Sequence, residues 1–234
     1  MRPQRFLHEK KMTILCIETS TAVCSAAICK EGALLKQCIC YEGSNHAKQL
    51  PLFIEELLGF AREQGLPIEA VALSEGPGSY TGLRIGTSTA KGLCYGLNIP
   101  LIPIPTLAIL NAASGQKEGV LVPMIDARRM EVYTEVSGEG LEVTGARAVV
   151  VENEESLYTG DEAVYYFGDG AAKCQSVLTR PNWHFIPDIV PEARFMGELA
   201  ESGKRKVESK ELAYYEPYYL KEFIAAQSHV KGLL

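Results

Sequence analysis

The chain has 234 residues, 47% of them hydrophobic and 22% charged, which allows one large domain or two small ones and argues against global disorder. Its formal net charge is −6, so tight binding of nucleic acid by the chain alone is not expected, because neutralisation of phosphates dominates that affinity. The seven cysteines include no CxxC pair, which favours buried thiols in a reducing cytoplasm over a disulfide framework.

The first half of the chain alternates between apolar strand-like runs and amphipathic helical runs. Strands followed by helices indicate an α/β fold, in which helices pack on a sheet. The predicted strands are residues 13–18, 24–30, 34–41, 70–76 and 101–105, and the predicted helices are residues 46–64, 81–97 and 106–114. Ser44 or Asn45 is suited to cap the first helix.

The polar stretch GQKEG (115–119) predicts a boundary between an N-terminal subdomain, residues 12–114, and a C-terminal subdomain, residues 115–223. Residues 137–160 are polar and ambiguous. The predicted strands of this half are residues 121–127, 130–136 and 163–170, followed by a helix to about residue 178, a helix at 191–203 and an extended segment at 214–223.

The two ends of the chain are predicted to be tails, residues 1–11 and residues 224–234. The stretch MRPQRFLHEKK is basic, but no apolar run follows it as in a signal peptide. No apolar run approaches the roughly 20 residues that a membrane-spanning helix needs. We therefore expect a cytoplasmic protein with no membrane partner.

The stretch SEGPGSYTGLRIGTSTAKGLCYGL (74–97) predicts a Gly-rich loop that leads into a helix. The N-terminus of such a helix presents free N–H groups and is a candidate anion site. However, the glycine spacing matches neither a P-loop nor the dinucleotide pattern GxGxxG. Together with the turn after the first strand, this loop provides a candidate site for ATP or ADP, whose members are Thr19, Ser20, Gly76, Gly78 and Ser79. The alternative is that these are ordinary turn residues.

Small residues recur every four positions in the helix that follows: Gly82, Gly86 and Ala90 form one series, and Gly92 and Gly96 form another. Each glycine in a helix costs about 1 kcal/mol relative to alanine. Small residues at this spacing let another element approach closely. Two explanations remain open, which are packing on the chain's own sheet and packing on a partner's helix.

Four short motifs stand out along the chain: IETST (17–21), EGPGSYTGLRIG (75–86), IDARRMEVY (125–133) and EPYYL (216–220). Together they resemble the bacterial tRNA threonylcarbamoyladenosine biosynthesis proteins of the TsaB family, over nearly the whole chain. The resemblance implies an actin-like, sugar-kinase and Hsp70-like (ribonuclease H-like) α/β fold. Such a fold has two related subdomains, here with the second reduced.

The resemblance also implies a function. A chain of this kind is a non-catalytic subunit that binds and activates a TsaD-like catalytic subunit in tRNA N6-threonylcarbamoyladenosine synthesis. A TsaE-like ATPase joins the same complex, tRNA is reached only through the complex, and two copies pair when the partner is absent. No cofactor is required. The alternatives are a nucleotide-binding regulator of the same complex, a glycopeptidase-type metallopeptidase and a small-molecule kinase.

Metal binding is not expected in this chain. The TsaD family holds a metal through an HxxxH pair on one helix face, soon after a strand that resembles IPxxH. Here Thr106 and Leu110 stand where the two histidines would be. In the IDARRMEVY motif, Asp126, Arg128 and Glu131 form a charged cluster, for which a structural ion pair and a catalytic role are both considered. We predict no catalytic residue.

The two helices around residues 46–64 and 81–97 are the predicted partner interface. From the first helix the candidates are His46 and Phe53, although an exposed histidine at a helix start is also ordinary. The second helix supplies the remaining candidates, which are Tyr80, Gly82, Arg84, Gly86 and Ala90. Under this hypothesis, Gly86→Leu abolishes partner binding and leaves a folded monomer, whereas an unfolded product means that the stripe packs internally.

Overall fold

A computed structural model describes residues 12–43, 45–202, 206–208 and 210–221. Both predicted tails, residues 1–11 and 224–234, therefore lie outside the described residues. The described part of the chain ends at residue 221. Ser44, one of the two predicted helix caps, also lies outside them. Asn45 occupies the N-cap position of the first helix without a side-chain hydrogen bond.

The first half of the chain forms a five-stranded sheet in the order β3-β2-β1-β4-β5. Strands β1 to β3 are antiparallel neighbours, whereas β4 and β5 run parallel to β1. The strands are β1 (Thr13–Glu18), β2 (Cys24–Lys30), β3 (Ala33–Cys40), β4 (Ala70–Gly76) and β5 (Leu101–Pro105), and the helices are α1 (His46–Glu63), α2 (Tyr80–Leu97) and α3 (Thr106–Ser114).

Both faces of this sheet are covered, which explains why successive residues of its central strands are buried rather than alternating between buried and exposed. On one face Leu15 and Ile17 of β1 join a core with Leu50 of α1 and Ala90 of α2. On the other face, the alternate β1 residues pack against a C-terminal segment that includes Met196. The Gly-rich loop, which lies between β4 and α2, is therefore held by a rigid, two-sided core.

The second half repeats the same connectivity with less helix. Its sheet has the order β11-β10-β6-β7-β9, with β6, β7 and β9 antiparallel and with β10 and β11 parallel to β6. The elements are β6 (Val120–Asp126), β7 (Glu131–Thr134), β8 (Ser137–Gly138), β9 (Arg147–Val150), β10 (Val164–Phe167), β11 (Trp183–Ile186) and α4 (Met196–Ser202).

This repeat confirms the prediction of two related α/β subdomains with the second one reduced. Where the first half has α1 and α2 between strands, the second half has single 3-10 turns, at Glu154–Ser156 and Ala172–Cys174. The helix predicted to run to about residue 178 is therefore wrong, because the segment between β10 and β11 contains only the second of these turns.

The end of the chain returns to the first sheet, although the sequence grouped it with the C-terminal subdomain. The backbone N–H of Ala193 donates to Ser25 Oγ of β2 at 2.9 Å. Val207 forms an isolated bridge with Leu101 of β5. The predicted division at residues 115–119 stays a prediction, but residues 193–202 pack on the first half because their apolar side chains complete the second face of that sheet.

The hairpin between β6 and β7 has an unusual backbone. Arg128 and Arg129, which are adjacent and exposed, have φ of 72° and 51°. Left-handed backbone costs about 1–2 kcal/mol for an ordinary residue, since Cβ lies too close to the following carbonyl oxygen. Asn and Gly tolerate this region far better.

We predict that the double substitution Arg128→Asn with Arg129→Gly raises the free energy of unfolding by about 1 kcal/mol, because it removes strain from the hairpin. Chemical denaturation of the variant and of the unchanged chain measures the difference. A variant of lower stability contradicts the strained conformation.

Candidate functional site

A cleft of about 910 Å³ lies between the two halves. Its first-half wall is formed by the turn after β1 and by the Gly-rich loop, and its second-half wall by the β6–β7 hairpin. Residues 218–221 of the C-terminal segment complete the rim. The strand ends of both sheets therefore meet at one site, as is typical for ligand sites of open α/β sheets.

The Gly-rich loop packs directly on the turn after β1. The Thr19 hydroxyl donates to the carbonyl of Gly82 at 2.9 Å, and the N–H of Ser79 donates to the carbonyl of Ser20 at 2.7 Å. A Cβ at Gly78 would overlap the carbonyl oxygen of Ser20, and one at Gly82 would overlap that of Thr19. Glycine is therefore required at both positions because the two backbones touch.

These contacts use the donors that a phosphate would need. The N–H and the hydroxyl of Ser20 both donate to Glu18 Oε1 at 2.6 Å. The Ser79 side chain accepts from the N–H of Gly82 at 3.3 Å and so caps α2. Gly76 has φ of 113°, and a Cβ there would lie 2.6 Å from the carbonyl oxygen of Tyr218.

The structure thus brings together all five residues of the predicted nucleotide site. However, the Thr19 hydroxyl and the Ser79 N–H bond across to the other loop, and the N–H and hydroxyl of Ser20 bond to Glu18, so these donors are already used within the chain. ATP or ADP binding by these residues stays a prediction, and the observed bonding favours the alternative of structural turn residues.

Glu18 ends β1 beneath this turn and is completely buried. Its Oε2 atom has no hydrogen-bond partner among the described residues. Burial raises the pKa of Glu18 to about 7; the hydrogen bonds from Ser20 oppose this rise, and the nearby Asp169 adds to it. Burial also raises the pKa of Asp169, which follows β10 in the second half. The burial of Glu18 was not predicted from the sequence.

The charged cluster predicted in the β6–β7 hairpin is paired with lysines. Asp126 forms an ion pair with Lys173, and Glu131 forms one with Lys221. Arg128 contacts Asp126 through its backbone N–H, which donates to Asp126 Oδ1 at 3.0 Å. The interpretation as structural ion pairs is supported for the two acids, but their partners are lysines rather than the arginine.

The small-residue stripe of α2 faces inward. Gly82, Gly86 and Ala90 are buried, and a Cβ at Gly86 would overlap the Thr19 hydroxyl and lie 3.2 Å from Leu73. The prediction that these three residues belong to a partner interface is therefore wrong, because they pack on the chain's own β1 turn and sheet. Gly92 and Gly96 differ, since within the described part of the chain no neighbouring atom lies within 4 Å of a Cβ at either position.

Of the other predicted interface residues, two are buried or half-buried and two lie on the surface side of α2. His46 is buried, and its Nε2 lies 2.9 Å from the carbonyl oxygen of Thr21, which gives it a structural role at the cleft. Phe53 is half-buried against the core of the first half. Tyr80 and the exposed Arg84 remain on the surface side of α2, where Arg84 donates to the Tyr80 hydroxyl at 2.8 Å.

A groove of about 520 Å³ lies on the outer side of α1 and α2. Ala47 and Pro51 of α1 form one wall, and Tyr80, Thr81, Arg84, Ile85, Ser88 and Thr89 of α2 form the other. Beyond the groove, the same exposed side of α2 continues through Gly92 to Tyr95, which is 80% exposed. Large exposed aromatic side chains of this kind commonly mark interaction surfaces.

At the positions of the HxxxH pair, Thr106 and Leu110 are both completely buried. Across the residues that the structure describes, no group of three or more His, Cys, Asp or Glu side chains is placed to hold a metal ion. Among the described helices, none is both long and apolar enough to cross a membrane.

Two sheets of the same strand order that meet at a cleft define the actin-like, ribonuclease H-like class of α/β proteins. The family model described as TsaD, tRNA N6-adenosine threonylcarbamoyltransferase, matches residues 42–213. The tRNA threonylcarbamoyladenosine biosynthesis protein TsaB of Haemophilus influenzae is 30% identical over 91% of this chain and 94% of its own length. The chain therefore belongs to the TsaB family within the TsaD-type proteins.

Two further relatives agree with this assignment. TsaB of Bacillus subtilis is 29% identical over 84% of this chain and 85% of its own length. The structure of YeaZ from Pseudomonas aeruginosa superposes with a TM-score of 0.71 at 27% identity, covering 89% of this chain and all of that one. Both matches extend over the two halves, so the reduced second half is a shared feature of the fold.

The inner and outer glycines of α2 provide a matched stability test. We predict that Gly86→Ala lowers the free energy of unfolding by about 1–3 kcal/mol, because the added methyl group overlaps Thr19. Gly92→Ala in the same helix should raise it by up to about 1 kcal/mol, because the methyl group enters open space and favours helix. Equal effects of the two substitutions in chemical denaturation would contradict the packing.

The buried carboxyl group of Glu18 should make stability depend on pH. Its pKa rises from 4.5 to about 7 on folding, so the folded state holds a proton that the unfolded state releases. The contribution of Glu18 protonation to the free energy of unfolding is fully present below about pH 4.5 and is lost as the pH rises through about 7.

Replacing Glu18 with Gln removes this dependence. Relative to the unchanged chain, Glu18→Gln should gain about 2–3 kcal/mol in the free energy of unfolding between pH 5 and pH 8. Denaturation curves of both proteins at the two pH values measure the gain, and parallel pH profiles would show that Glu18 is ionised normally.

Proposed function

We propose that this chain is a non-catalytic subunit of tRNA N6-threonylcarbamoyladenosine synthesis that binds and activates a TsaD-like catalytic subunit through the outer side of α1 and α2. The observation that carries the proposal is the groove between these helices, with the open positions of Gly92 and Gly96 beyond it. Two glycines four residues apart on an exposed helix face reduce helix stability, and close approach of a partner's helix offsets that loss.

The proposed absence of catalysis is supported by the interior of the chain. Leu110 packs in an apolar cluster with Leu107, Ile125 and Phe167, so the position of the second histidine in the resemblance is part of a core between the halves. At the cleft, the hydroxyl of Thr19 and the N–H of Ser79 bond between the two loops, and the N–H and hydroxyl of Ser20 bond to Glu18. These groups are therefore engaged within the chain.

The proposal includes three further partners, which are a second copy of this chain, a TsaE-like ATPase and tRNA. A second copy of this chain can occupy the α1–α2 groove when the catalytic subunit is absent, which gives the homodimer. A TsaE-like ATPase joins the assembled complex, and tRNA is bound only within it, because the chain carries a net charge of −6. The free thiols of all seven cysteines accord with a cytoplasmic location.

Gly92→Leu tests the interface without disturbing the core. We expect the variant to remain folded, since the site is open, and to lose binding to the catalytic subunit by at least tenfold, because the side chain holds the helices apart. Ser176→Leu, an exposed substitution in the second half, is the control for added surface hydrophobicity.

Co-purification and calorimetric titration with the TsaD-like protein of the same genome measure binding, and a tRNA modification assay measures activation. Unchanged binding by Gly92→Leu would contradict an interface on this face of α2. Modification that proceeds equally well without this chain would contradict the proposed function itself.

A further inference from the structure

The β6–β7 hairpin places two adjacent arginines at the exposed end of the second half, beside the cleft. Arg128 lines the cleft, and both side chains are exposed. Their left-handed backbone is strained, yet neither residue fills a core or closes a helix. Strain that is retained at an exposed position, without a packing benefit, points to a role for the side chains themselves.

The acidic side chains near the tip already have cationic partners. Asp126 pairs with Lys173 and Glu131 pairs with Lys221. Asp169 accepts the N–H of Asp126 at 3.1 Å. Among the residues that the structure describes, neither guanidinium group has a carboxylate partner. Both arginines therefore present unneutralised charge in a chain whose net charge is negative.

Guanidinium groups recognise phosphate through paired N–H donors and keep their charge at any physiological pH. Within the cleft, the carboxyl group of Asp169 lies on the lining and disfavours an anion beside it. A phosphate is therefore favoured at the arginine tip rather than next to Asp169. Two neighbouring arginines on a projecting hairpin suit successive phosphates of a nucleic acid backbone better than a compact nucleotide inside the cleft.

We propose that the Arg128–Arg129 tip contacts the phosphate backbone of the tRNA while the chain is assembled with its catalytic partner. This inference rests on the proposed function and extends it, since it gives the second half a direct part in seating the RNA. Two phosphate contacts add too little affinity for the chain to bind tRNA alone, which agrees with its acidic composition.

The test uses the assembled complex and the hairpin variant Arg128→Asn with Arg129→Gly. This variant removes both guanidinium groups while relieving the backbone, so a thermal melt should show a chain at least as stable as the unchanged one. The control removes two positive charges elsewhere, through Lys30→Gln with Lys117→Gln at exposed positions at the end of β2 and between α3 and β6. Fluorescence anisotropy gives the Kd for tRNA over a series of salt concentrations.

We expect the hairpin variant to bind tRNA about tenfold more weakly at low salt, and the slope of log Kd against log salt to fall by about one for each arginine. The control should keep the slope of the unchanged complex. An unaltered Kd and slope in the hairpin variant, or an equal loss in the control, overturns the inference.

Free ATP added to the binding assay separates the two sources of phosphate. ATP that binds in an arginine-dependent manner, while tRNA binding is indifferent to the arginines, assigns the tip to a nucleotide and overturns the inference. If the unchanged chain forms no complex, or modification does not need it, the proposed function fails and this inference fails with it. A complex that modifies tRNA, but whose hairpin variant binds tRNA normally, overturns this inference alone.

Discussion

The contact between the turn after β1 and the start of α2 is the constraint on which the first half depends. Thr19 lies against Gly82 and Gly86, with its hydroxyl bonded to the carbonyl of Gly82. This contact sets the distance between helix and sheet, and it requires glycine because a methyl group would occupy the space of the Thr19 backbone or hydroxyl. The cost of glycine in the helix is therefore offset by close packing within the chain.

Helix α2 shows how much of the packing can be predicted from residue spacing alone. A residue every four positions predicts a face of the helix, and α2 has one small-residue face inside and another outside. Gly86 and Gly92 are indistinguishable by sequence pattern, but the first meets Thr19 and Leu73 whereas the second meets nothing. Which stripe faces the sheet is decided by apolar residues such as Leu83 and Cys94, whose burial orients the helix.

The elements of the first half could be predicted to within one or two residues, because long buried strands and amphipathic helices carry strong periodic signals. The second half was harder to predict. Strand β9 lies in a segment that is polar and ambiguous in sequence, and β11 is only four residues long. The site was also only partly predictable: the nucleotide candidates do come together, but the burial of Glu18 and the backbone of Arg128 depend on tertiary contacts with no local signature.

The relation between the two halves leaves no periodic signal in the sequence, because it is a repeat of position and not of period. Strands β4 and β10, which occupy equivalent places in the two sheets, each lead into a Gly-x-Gly turn, at Gly76 to Gly78 and at Gly168 to Gly170. The first glycine of each has a positive φ, 113° and 106°. The second lies against the end of the first strand of its own half, at Ser20 in one case and at Ile125 in the other. Different insertions between the strands remove any constant spacing.

The repeat also indicates what the shortened second half has gained. Because its sheet lacks the two long helices of the first half, α3 contributes to its covering, and Leu110 joins Ile125 and Phe167 in a dry cluster between the halves. The resemblance implies that α3 corresponds to the helix on which the TsaD family carries its two metal-binding histidines. In this chain Leu110 at that position packs in the cluster and stabilises one arrangement of the halves. Under the proposed function a fixed arrangement is an advantage, because a preorganised surface loses less conformational entropy on binding.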